Sequence, residues 1–140
     1  MRKLCLPLVA AVVLSLSTAR PAAAIQQFFN AFVDNYVKNH PDKKFAEMVQ
    51  KEAKCLVCHQ GAKNRKNRNM FGKEMDKLLD RQKDMKDVEK IVASLKTALA
   101  VRTDPKNDKS ETFLDRVKAG KLPGGNLEDL KKEPPEGAAK

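Results

Sequence analysis

Cys55-Leu56-Val57-Cys58-His59 is the stretch of this chain whose residue types and spacing point most directly to chemistry. Cys-x-x-Cys-His is the pattern of covalent haem attachment. Each thiol adds across one haem vinyl group, and two intervening residues match the separation of those vinyls along the porphyrin edge. The histidine directly after the second thiol then becomes the proximal iron ligand. Its other ring N–H is expected to reach a nearby carbonyl, which fixes the ring and raises its basicity. Three other chemistries compete. A zinc site needs four ligands, and His40 is the only histidine besides His59. Adjacent Cys58 and His59 are also poorly placed to share one tetrahedral ion. A thioredoxin-type dithiol needs a βαβ setting, whereas the hydrophobic pattern here is helical. A structural disulfide would close too short a loop to stabilise much, and His59 would have no part in it. One covalent haem c accounts for Cys55, Cys58 and His59 together.

The sixth iron ligand is less constrained. An axial methionine raises the potential, a second histidine lowers it, and an open position admits small molecules. His40 alone could give a second histidine. Met70, which follows a polar loop, is best placed to swing over the distal face. Met48 lies seven residues before Cys55 on the same helix face and lines the haem, while Met75 and Met85 read as core or surface positions. Met70 is therefore the expected distal ligand, with His40, Met48 and Met75 as rivals and an open distal side as the alternative. Beside the motif, Lys63, Arg65, Lys66 and Arg68 form a basic run. It suits a docking face for an acidic redox partner, since charge mainly raises encounter rate. It equally suits neutralisation of haem propionates or a solvated loop. Nucleic-acid binding fits poorly with a chain that lacks interleaved aromatics.

Helices must position these groups. Ile25, Phe28, Phe29, Phe32, Val33, Tyr36 and Val37 recur at helical spacing, and His40-Pro41 breaks that stripe. Phe45, Met48, Val49, Ala53, Leu56 and Val57 make a second stripe, with the haem motif at its C-terminal end and Gly61 as its stop. Phe71, Met75, Leu78 and Leu79 mark a short third helix. Val88, Ile91, Val92, Leu95, Ala98 and Leu99 mark a fourth, with Asp84 or Asp87 as N-cap. Ser110 is expected to cap a last helix through Phe113, Leu114 and Val117, ended by Gly120 and Pro123. No internal repeat and no strand pattern is visible. The expectation is an all-α bundle of about four to five short helices.

The first 24 residues read as a secretory signal: Arg2 and Lys3, an apolar run from Leu4 to Leu16, then Ala22-Ala23-Ala24 for a peptidase. The apolar run falls short of the roughly 20 residues a membrane span needs, so no integral span is expected in the mature chain. Cleavage before Ile25 removes Cys5 along with three of the 28 basic residues and none of the 18 acidic ones, so the net charge falls from +10 to +7. Residues 25–123 then form the haem domain, located in the periplasm or an equivalent exported compartment. Residues 124–140, rich in Gly, Pro, Glu and Lys, read as a flexible tail.

The chain resembles the small secreted monohaem c-type cytochromes. The likeness rests on Cys55-x-x-Cys58-His59, a basic stretch, Asn69-Met70-Phe71-Gly72, and the closing Thr112-Phe113 with Lys118-Ala119-Gly120-Lys121-Leu122-Pro123. It implies a cytochrome c-like fold around one haem, thioethers on Cys55 and Cys58, and His59 as proximal ligand. It also implies electron transfer to and from a redox partner, with no enzymatic turnover. A haem-based sensor of CO, NO or O2 is the alternative if the distal side is open. The chain departs from the usual pattern in having no methionine after Met85, where such cytochromes carry their distal ligand.

Overall fold

The computed structural model describes residues 23–61, 63 and 66–135. The expected signal segment therefore lies outside the described residues, except for Ala23 and Ala24, which open the first helix. Six α-helices occur among the described residues, and extended pairing is limited to two isolated bridges, His59 with Arg68 and Arg102 with Thr112. The all-α expectation holds, with one helix more than expected.

Helix α1 (Ala23–Phe32) continues into a π-helical turn over Val33–Val37. The wider turn ends where Lys38 N–H donates to Val33 O. Asp42 then starts α2 (Lys43–Met48) by accepting the Phe45 N–H at 3.1 Å. The unbroken helix expected through Val57 is not formed. The chain widens into a π-turn over Val49–Ala53, reverses at Lys54 and tightens into a 3-10 turn over Lys54–Val57. Lys54 is the only non-glycine residue at positive φ (42°) among those described, a conformation that costs an L-residue about 1–3 kcal/mol. Helical periodicity survives such changes of pitch, so the apolar stripe alone does not reveal them.

Helix α3 (Met70–Leu78) is capped by Asn69, and α4 (Val88–Leu99) by Asp87, whose carboxylate accepts the Lys90 N–H. Asp84, the other candidate cap, instead accepts the Asp80 N–H and pairs with the Lys90 ammonium. Helix α5 (Phe113–Lys118) begins with a reciprocal Thr112–Asp115 capping box. Ser110, the expected cap, donates to Asp104 O and closes the preceding loop.

Where a flexible tail was expected from residue 124, the chain forms α6 (Leu127–Lys131), capped by Asn126. Leu130 is buried in the core, so the packed unit extends past residue 123. A five-residue helix gains little from its own backbone; burial of Leu130 and packing of Leu127 against the core hold it, and two leucines in a polar segment are a weak sequence signal.

The centre of the core is a run of phenylalanines. Phe71 lies between Phe32 and Phe113, with ring centroids 6.3 Å and 5.6 Å away. Helix α4 packs on both α1 and α3 and buries Ile91, Leu95 and Leu99 against them. Full burial of each such side chain contributes roughly 1.5–3 kcal/mol. No helix among the described residues is long and apolar enough to cross a membrane.

Candidate haem-attachment site

The motif is held by backbone hydrogen bonds at both ends. Cys55 O accepts the N–H groups of Cys58 and His59 at 3.2 and 2.9 Å, and Cys58 O accepts the Asn69 N–H at 3.1 Å. Asn69 is the central fixture. Its side-chain amide donates toward the carbonyls of Leu56, Val57 and His59 at 2.9, 3.1 and 3.2 Å, while its Oδ1 accepts the Gly72 N–H at 2.9 Å. One buried side chain thus ties the 3-10 turn to the start of α3. Gly72 permits this approach, since a Cβ there would stand 1.9 Å from Cys58 O. Gly124 does the same on the outer side, where a Cβ would meet the Asn69 amide at 2.2 Å.

Cys55, Cys58 and His59 border a cavity of about 300 Å³. Phe28, Phe29 and Phe32 from α1, Met75 and Leu79 from the α3 region, and Leu95 from α4 form apolar walls, while Lys66, Arg68, Asp76 and Arg81 bring charge. Arg68 pairs with Asp76 at 2.6 Å. A largely apolar cavity with a few placed polar groups is the usual form of a cofactor site.

His59 Nδ1 lies 3.2 Å from Asn67 O. With a carbonyl as partner, Nδ1 carries the proton and Nε2 is the basic nitrogen, the tautomer an Nε2-ligating histidine requires. The same carbonyl accepts the Gln60 N–H at 3.1 Å. Burial pushes the Cys58 thiol up to about 12, with the Cys55 charge adding to the rise and Arg68 opposing it. Cys58 is therefore a neutral thiol at pH 7. The donor set and the cavity therefore fit a covalently held haem: two adjacent thiols, one oriented imidazole, apolar walls and cations close by.

No family model, curated protein or solved structure matches the chain.

Of the predicted site residues, Cys55, Cys58 and His59 are brought together. Met70 is not with them: it is 51% exposed and absent from the cavity walls. Helical geometry explains this, because Met70 is the first residue after the Asn69 cap and Phe71 takes the inward position. Met75, one turn further along that face, is buried and lines the cavity. Met48 is half-buried against the core, away from the cavity walls.

His40 lines a different pocket, of about 430 Å³, with Tyr36 and Val117. Its Nδ1 accepts the Asp42 N–H at 3.1 Å, and its Nε2–H donates to Val117 O at 2.9 Å. Both ring nitrogens are committed, so the structure does not support His40 as an iron ligand. Of the basic loop, residues 64 and 65 lie outside the described residues, whereas Lys66 and Arg68 border the cavity. Sequence reasoning did not single out Arg81, Asn67 or Glu133. Asn67 acts through its main-chain carbonyl, which carries no sequence signal.

Proposed function

We propose that this chain is an exported monohaem c-type cytochrome that carries single electrons. The observation that carries the proposal is the meeting of Cys55, Cys58 and His59 on one apolar cavity, with Nδ1 of His59 against the Asn67 carbonyl. Bound haem c would supply the one-electron chemistry, its iron alternating between ferrous and ferric.

The chain's own residues do the rest. Asn67 orients His59 and raises its basicity. Phe28, Phe29 and Phe32 give the cavity an apolar wall, which would limit water access to a bound haem. Lys66, Arg68 and Arg81 suit the haem propionates or an acidic docking face on a redox partner. No substrate needs to be bound, and the role is not enzymatic. The amino-terminal signal pattern supports export to a periplasm-like compartment. Met75 is the methionine whose position best supports a distal role.

Haem-based binding of CO, NO or O2 is the second reading. It is favoured by the outward position of Met70 and the engaged ring of His40. A pyridine haemochrome spectrum of the protein, expressed with the haem-attachment machinery, is expected to show haem c at one per chain. A colourless protein would reject the proposal. The spectrum of the reduced protein is expected to be unchanged by CO if Met75 ligates, and a prompt CO complex favours the second reading.

A further inference from the structure

The C-terminal segment reaches back to the haem motif. Leu130, anchored in the core, presents its carbonyl to the Gly61 N–H at 2.8 Å. Three residues on, the Glu133 carboxylate accepts the Lys63 N–H at 2.8 Å through Oε1 and the Asn67 side-chain amide at 3.2 Å through Oε2. Gly61 makes room for that carboxylate: it sits at φ +79°, and a Cβ there would fall 2.3 Å from Glu133 Oε2. Asn67 is thus gripped by Glu133 at its side chain, while its carbonyl receives the His59 ring and the Gln60 N–H.

We propose that Glu133 is a positioning residue for His59, holding Asn67 so that its carbonyl aims the imidazole. The inference rests on the haem reading for its consequence and on the hydrogen-bond chain for its existence. A carboxylate that accepts two N–H groups is a directional anchor, and its bonds are stronger than those between neutral groups. Outer-sphere partners of a metal-binding histidine set both its angle and its basicity. A firm Nδ1–H···O bond pushes electron density onto Nε2 and favours ferric iron, so loosening it raises the midpoint potential. Helix α6 is on this view the arm that carries Glu133 to the loop.

The test compares the wild-type mature protein with Glu133→Ala and Glu133→Gln. Amide hydrogen exchange at Lys63 and Gln60 is measured alongside the midpoint potential. In Glu133→Ala, both amides are expected to exchange at least about fivefold faster, the change that follows from losing one hydrogen bond of ordinary worth. The potential is expected to rise. Glu133→Gln keeps a single acceptor oxygen and should fall between the two. Faster exchange at Lys63 alone, with Gln60 and the potential unmoved, would make Glu133 a local staple and overturn the proposal. A wild-type protein without haem would remove the electron-carrier reading instead, and the Gln60 exchange rate would still decide whether Glu133 acts through Asn67.

Discussion

Asn69 is where the structure makes its sharpest demand on a single side chain. Replacement by alanine removes the cap of α3, worth about 1 kcal/mol, and the amide donors that serve the carbonyls of Leu56, Val57 and His59. An –NH2 group has two hydrogens, so three close carbonyls share about two full bonds, each worth about 1 kcal/mol net. The sum is about 3 kcal/mol, and roughly 10–15 °C in Tm for a domain of this size. Asn69→Asp separates the two roles. Aspartate is as good an N-cap as asparagine, so if capping were the whole contribution the variant would be neutral. Here its second oxygen would face up to three carbonyl oxygens in a buried site, and repulsion replaces donation. Asn69→Asp should therefore be at least as destabilising as Asn69→Ala, with haem incorporation reduced in both. Chemical denaturation followed by circular dichroism measures the first, and haem absorbance per chain the second. An Asn69→Asp protein as stable as wild type would refute the clamp and leave Asn69 as a cap only.

The other predictions test separate parts of the site and fold. Gly72→Ala should cost about 3 kcal/mol or more, because its methyl would meet Cys58 O at 1.9 Å; yield of folded protein and Tm would show this. Met70→Ala, at an exposed position, should stay within about 0.5 kcal/mol of wild type, with an unchanged spectrum. Met75→Ala should cost about 2–5 kcal/mol and alter the visible spectrum; the reverse pattern would return the distal role to Met70. Asp115 is held below the usual carboxylate range by the Thr112 N–H and hydroxyl. A lowered folded value means its stabilisation is present in full above the unfolded value and is lost as pH falls through the folded one. The stability gap between wild type and Asp115→Asn should thus be constant near neutrality and close below about pH 4, as denaturant titrations across pH would reveal.

The helices were legible because their signals are local. Phe71, Met75 and Leu78–Leu79 recur at a helical period, and the α4 stripe runs without a break from Val88 to Leu99. Caps were legible only in part. Ser110 and Thr112 are both good N-cap residues, and what decides between them is Asp115 three residues after Thr112, which completes a capping box. The break at Lys54 was hidden, since lysine carries no mark of positive φ and the surrounding stripe keeps its period. Helix α6 was hidden by composition: a polar segment reads as a tail until one sees that Leu130 has a core to enter.

For the site, the division falls between groups that act through their chemistry and groups that act through their place. Cys55, Cys58 and His59 are rare residue types in an informative order, so the sequence alone picks them out. Their supports are ordinary: a main-chain carbonyl at Asn67, an amide at Asn69, three glycines that matter for what they lack, and a glutamate 74 residues after His59. The placement of the methionines was illegible for the same reason. Met70 and Met75 are chemically identical and five positions apart on one helix, so their chemistry does not distinguish them. Their position on the helix does, because Asn69 sets the start of α3 and thereby sends Met70 to solvent and Met75 to the cavity. Moving that cap by one residue would rotate the helix face by about 100°, so the residue that clamps the Cys55–His59 turn also decides which methionine faces the cavity.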